Sequence, residues 1–118
     1  MKGFDAESAA LSFLESQGLM LLDRNYRCRT GEIDLVMKED EALVFVEVRL
    51  RSRDDFGGAS SSITERKKGR ILSAARHYLS RFEFMPDCRF DAVLLDGKGI
   101  IEWIKGAFCE DGRTRRFR

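Results

Sequence analysis

Residues 31–53 read GEIDLVMKEDEALVFVEVRLRSR, two apolar runs separated by the charged stretch Lys38-Glu39-Asp40-Glu41. Each run is rich in Val, Leu, Ile or Phe and carries charge at alternate positions, the pattern of two strands in a hairpin. A strand sends successive side chains to opposite faces. Glu32, Asp34 and Val36 therefore share one face of the first strand, and Leu43, Phe45, Glu47, Arg49 and Arg51 share one face of the second. An even loop centred between Asp40 and Glu41 sets the register. Asp34 then falls opposite Glu47, and Glu32 opposite Arg49. Like charges directly opposed destabilise a strand pair. Two carboxylates ~5 Å apart repel by about 3 kcal/mol at an effective dielectric of ~20. A proton, a cationic side chain or a metal ion has to offset that repulsion.

Upstream of the hairpin, residues 4–17 have the spacing of an amphipathic helix. Phe4, Ala6, Ala9, Ala10, Phe13 and Leu14 form its apolar stripe, and Gly18 is placed to stop it. Glu7 borders that stripe, where the helix dipole favours a first-turn glutamate whatever else it does. Residues 19–28 read as a strand. The unbroken apolar run from Leu19 to Leu22 is expected where both faces are covered, and Asp23-Arg24-Asn25 marks a bend or a frayed end. Arg29-Thr30-Gly31 is a short turn into the hairpin.

Downstream, residues 52–62 show no periodicity and read as a loop, with Gly57-Gly58 and three serines. A long helix is expected over residues 63–82, opened by the capping-box pattern of Ser62 and Glu65. Its buried stripe is Ile71, Leu72, Ala75, Tyr78, Leu79 and Phe82. Residues 88–95 and 100–105 read as two further strands around the turn Asp96-Gly97-Lys98-Gly99. The expected fold class is α/β: a mixed five-stranded sheet flanked by an N-terminal helix and a long central helix, in the order α-β-β-β-α-β-β. One domain is expected over residues 1–112, with residues 113–118 as a basic, flexible tail. A chain of 118 residues can bury a core without a metal or disulfide staple.

Composition narrows the class of partner. Hydrophobic residues make up 43% and charged residues 35%, which argues for a folded globular chain rather than a disordered one. No apolar run approaches the ~20 residues of a membrane span, and MKGFDAESAA lacks the apolar core of a signal peptide. A cytoplasmic protein with no membrane partner is expected. Cys28, Cys88 and Cys109 lack the spacing of a zinc or redox motif and read as reduced thiols. The net charge of +1 is uninformative, but the basic residues bunch at Arg49–Arg53, Arg66–Arg70 and Arg113–Arg118. Such patches on a near-neutral chain suit a polyanion. Arg51, Arg53, Arg66, Lys67, Lys68 and Arg70 are the candidate nucleic-acid contacts. A solvated basic face is the plainer alternative.

A carboxylate on one strand followed by Glu-x-(basic) on its neighbour can bind a hard divalent cation for phosphodiester hydrolysis. Oxygen ligands suit Mg²⁺ or Mn²⁺, and the metal acidifies water and shields phosphate charge. Asp34 and Glu47 are the candidate ligands, aided by the Val48 carbonyl. Glu7 is a further ligand if its helix packs across the sheet edge. Arg49 is placed to stabilise developing charge. Glu32 is a weaker candidate, expected to pair with Arg49 or Arg51. His77 reads as a surface residue, and Asp91 as a buried structural carboxylate.

The stretches AESAALSFLESQGLMLLDRNYR, GEIDLVM, LVFVEVRLRS, ITERKKGRILSAARHYL and RFDAVLL cover most of the chain. In this order they resemble the YraN family, small bacterial proteins with the restriction-endonuclease-like fold of the PD-(D/E)xK superfamily. The resemblance implies a core similar to archaeal Holliday-junction resolvases. It implies a metal site of Glu7, Asp34 and Glu47, a basic motif position at Arg49, DNA as partner, and room for a homodimer. The superfamily motif has lysine where this chain has Arg49, and arginine stays protonated and cannot act as a base. Lys67 or Lys68 could reach the site from the helix. Three functions follow: a metal-dependent endonuclease, a non-catalytic nucleic-acid-binding module on the same scaffold, and a structural or interaction domain.

Overall fold

In the computed structural model, five strands and two helices follow the order α1 (Ala6–Ser16), β1 (Met20–Cys28), β2 (Gly31–Glu39), β3 (Ala42–Leu50), α2 (Glu65–Leu79), β4 (Cys88–Asp96) and β5 (Gly99–Phe108). The structure describes residues 5–50 and 63–108, with residues 100 and 101 through their backbone alone. The expected tail and the 52–62 loop lie outside the described residues. The sheet has the spatial order β1-β2-β3-β4-β5. β3 and β4 are parallel and the other neighbours antiparallel, so the sheet is mixed. A parallel pair needs a long crossover, which α2 helps to supply. This is the α/β architecture expected of a restriction-endonuclease-like core.

The two helices cover opposite faces of the sheet. Ala10 and Leu14 of α1 pack with Leu35, Met37, Val44, Val46, Val93 and Leu95. Ile71, Leu72, Ala74, Ala75 and Tyr78 of α2 pack with Val36, Leu43, Phe45, Phe90 and Ala92. Neighbouring β3 residues alternate between the two cores, as the pleat requires. The hairpin turn is Asp40–Glu41, flanked by the pair Glu39–Ala42. Asp40 takes a left-handed φ of 53°, which aspartate tolerates better than most residues.

Several boundaries differ from expectation. β1 is an edge strand, so its apolar start is not covered on both faces: Met20 and Leu22 are exposed. The register shifts between Leu21 and Asp23, and Asn25 has a φ of 55°, so the expected bend is present. α2 is capped by Thr64, whose hydroxyl accepts the Lys67 N–H at 3.1 Å, rather than by Ser62. It ends at Leu79, and Phe82 lies beyond it, 38% exposed. β5 runs on to Phe108 through a bulge against β4 at Gly106, whose φ is 63°.

α2 comes very close to the sheet at Gly31. A Cβ there would lie 1.8 Å from the Arg70 carbonyl oxygen, so only glycine lets the helix sit this low.

Candidate functional site

The hairpin has the expected register. Its pairs run from Glu39–Ala42 to Leu35–Val46, and the ladder stops one step short of Asp34 and Glu47, whose charges still act on each other. At that step a side chain takes over from the ladder: the Val48 N–H donates to Asp34 Oδ2 at 2.8 Å. The alternation of β2 also breaks here. Ile33 and Val36 both pack on the α2 side, whereas Leu35 and Met37 pack on the α1 side. The left-handed Asn25 lies on β1 between the partners of Leu35 and Ile33. β2 is thus distorted at Asp34, while β3 stays paired with β4 as far as Leu50. A strand that leaves its ladder at an acidic residue frees that residue for something other than sheet formation.

Glu47 is 4% exposed on the α2 side of β3. Lys67 of α2 brings its Nζ to 3.1 Å from Glu47 Oε2. This is an ion-pair contact rather than a directed hydrogen bond, because Oε2 accepts no hydrogen bond of good geometry among the described residues. Burial pushes the Glu47 carboxyl up to about 7, the Asp34 charge adds to the shift, and Lys67 opposes both. A proton and a cationic side chain thus both work against the repulsion that the sequence sets up. The Thr64 cap starts the helix one turn before Lys67, and the Gly31–Arg70 contact seats the same turn against β2.

The other candidates are distributed unevenly. Alternation along β3 puts Arg49 on the face of Glu47, in register with Leu94 of β4. Arg51 and Arg53 lie outside the described residues. Arg66 and Arg70 are exposed on α2. Lys68 is largely covered, pairs with Glu65 at 3.2 Å, and lies over the Phe108 ring. Glu7 pairs with Arg24 at 3.6 Å rather than joining Asp34 and Glu47. No group of three or more acidic, histidine or cysteine side chains placed to hold a metal occurs among the described residues. Glu32 pairs with Arg27 of β1 at 3.4 Å, not with Arg49 or Arg51, because the β1 partner is immediately across the ladder.

Two groupings escape sequence reasoning. Asp91 is fully buried and accepts from Arg89 Nε and Nη2, the Trp103 indole N–H and the Gly106 N–H. Its structural role was legible; its donors were not, since the Gly106 bulge has no local signal. Tyr26, His77 and Arg81 also come together, joined by hydrogen bonds to the Tyr26 hydroxyl. Of the two lysines expected to be able to reach the site, Lys67 does so and Lys68 pairs with Glu65 instead.

Comparison with known proteins is consistent. The family model described as Uncharacterised protein family UPF0102 matches residues 6–95. A UPF0102 protein of Nitrosomonas europaea is 58% identical over 111 residues, covering 92% of this chain and 94% of its own. Relatives from Nitrosomonas eutropha and Nitrosospira multiformis are each 54% identical. Both alignments cover 92% of this chain, with 94% of the first relative and 92% of the second. Among the described residues no helix is long and apolar enough to cross a membrane.

Proposed function

The chain belongs to the uncharacterised protein family UPF0102, the YraN family, and on that premise we propose that it is a metal-dependent endonuclease acting on DNA phosphodiesters. The observation that carries this reading is Glu47: a buried carboxylate beside a second one, with an oxygen that lacks a directed hydrogen-bond donor. Native structures seldom leave a buried charge so poorly served without a use for it.

The donor set fits a hard divalent cation such as Mg²⁺ or Mn²⁺, because it offers carboxylate oxygens and no soft ligand. Asp34 and Glu47 would hold the ion, and Glu7 would join them only by giving up Arg24. When bound, the cation supplies charge to shield phosphate and acidity to a water molecule. The chain's own residues do the rest. Lys67 balances the charge of Glu47 before binding, and its half-exposed side chain is free to turn to a phosphate oxygen. Arg49 offers a fixed positive fork for the same phosphate. Arg66 and Arg70 extend the positive face along α2.

Thermal melting with added Mg²⁺ or Mn²⁺ tests the site, since a ligand that binds only the folded state raises the melting temperature. The rise is expected in the wild type and lost in Asp34→Asn. Because Glu47 must shed its proton, the rise grows as pH passes upward through about 7. Cleavage is then assayed on branched, single-stranded and duplex DNA, with Asp34→Asn inactive. Failure to cut any of these substrates with either metal overturns the nuclease reading.

Arg49 favours a second reading, a binding module that does not cut, because arginine cannot take a proton from water. In that case the wild type binds DNA with steep salt dependence but leaves it intact. Asp34→Asn then binds as well as the wild type or more tightly.

A further inference from the structure

One side of α2 carries a row of groups of which the carboxylate-site reading uses only Arg66 and Arg70. Arg66, Arg70, Ser73, His77 and Arg81 are spaced by four, three, four and four residues, which lines them up on one side of the helix and the turn after it. The row follows the seam between α2 and the β1–β2 turn. The Ser73 hydroxyl hydrogen-bonds that of Thr30, and His77 Nδ1 hydrogen-bonds the Tyr26 hydroxyl. Arg81 Nη2 donates to the same hydroxyl at 3.3 Å. The Arg81 guanidinium lies 4.3 Å from the Tyr78 ring centre and 5.5 Å from that of Tyr26.

Arg66, Arg70 and Arg81 have no carboxylate partner among the described residues, as is also true of Arg29, Lys38, Arg76 and Lys98, so it is their alignment with Ser73 and His77 that marks the row. Glu65, in the first turn of α2, is taken by Lys68. The distal end is also built rather than loose. Arg81 spends one N–H on Tyr26 and is held against two rings, so its remaining donors are fixed in direction. The Tyr26 hydroxyl joins Arg81 and His77 Nδ1, which leaves the Nε2 edge of exposed His77 for an outward contact. The helix dipole explains cations near the C-terminus of α2, but it disfavours Arg66 at the other end. A polyanion lying along the helix accounts for both.

We infer that this row is a track for a nucleic-acid backbone, leading from the Lys67 end of α2 along the β1 seam, with Arg81 as its distal phosphate anchor. The track deepens the reading of the carboxylate site as one that acts on DNA and rests on it. From Arg66 to Arg81 it spans about 22 Å at ~1.5 Å per residue, or roughly six phosphate steps of a duplex strand at ~3.4 Å each.

The test is DNA binding by the full chain over a salt series, using a labelled strand longer than the track, alone and as a duplex. Arg70→Ala and Arg81→Ala are each expected to weaken binding several-fold. Each lowers the slope of log affinity against log salt by about 0.7 on the single strand and about 0.9 on the duplex. Tyr26→Phe, which frees Arg81 without removing its charge, weakens binding less than Arg81→Ala and leaves the slope nearly unchanged. Lys98→Ala, in the β4–β5 turn and off the row, changes neither. If Arg81→Ala melts early, the pair Arg66→Ala and Arg70→Ala carries the same test. A wild type that binds and cuts DNA while the row variants keep its affinity and slope overturns the track and leaves the nuclease reading intact. A wild type that binds no DNA overturns both.

Discussion

Asp91 and Glu47 are two buried carboxylates on adjacent strands, one residue apart in register, since Asp91 pairs with Val46. They face opposite sides of the sheet. Asp91 accepts four hydrogen bonds within 3.1 Å, two of them from a guanidinium that is itself shared with Glu39. Burial works against the charge of Arg89, but Asp91 and Glu39 more than offset it and raise its pKa. Glu47 has a second carboxylate for a neighbour and one half-exposed lysine for a counterion. The two buried acids thus differ sharply in how fully the described residues satisfy them. Asp91 ties β5 and its bulge to β4. Glu47, on the other face, is met by the half-exposed Lys67.

The largest expected effect breaks the satisfied side of the pair. Asp91→Ala strands the partly buried Arg89, the Trp103 indole N–H and the Gly106 N–H. It should lower stability to urea by about 3–5 kcal/mol, the usual cost of removing one partner of a buried ion pair. An intermediate effect of opposite sign comes from the other acid. The folded Glu47 carboxyl titrates near 7, above its ordinary 4.5. Its stabilising contribution is therefore complete below about 4.5 and is lost as pH rises through about 7. Glu47→Gln should stabilise the metal-free protein by roughly 1–3 kcal/mol at pH 8, with the gain shrinking toward pH 5, as read from urea melts across pH. The smallest effect tests the lysine. Lys67→Met should cost about 0.5–1 kcal/mol at pH 8, the scale of a partly exposed ion pair, and nothing in the Glu47→Gln background. A double-mutant cycle measures that coupling; a cost that persists in the double variant would show that Lys67 stabilises through packing.

Element order and the hairpin register as far as Leu35–Val46 were legible in the sequence because each rests on a local period and a short turn. What was not legible depends on chain segments that meet from afar. Thr64 caps α2 in place of Ser62 because the helix begins two residues later than the expected Ile63. Met20 and Leu22 are exposed because β1 is the sheet edge, and an apolar run does not say whether a neighbour follows it. Lys67 lies twenty positions beyond Glu47 in the sequence, so its contact depends on how the crossover returns α2 to the sheet. Glu7 borders the α1 stripe as expected, but Arg24 of the adjacent strand claims its side chain. His77, read as a surface residue, is exposed and also tied to Tyr26.

Gly31 gives these observations a mechanical sense. With the Arg70 carbonyl seated where a Cβ would be, α2 rests on β2 at a fulcrum one turn from Lys67. Any larger residue at position 31 must lift the helix off that point. Lys67 on one arm and the Ser73–His77–Arg81 row on the other would then rise together. A single methyl group at an uncharged residue would therefore detune both at once, without altering any residue that carries charge.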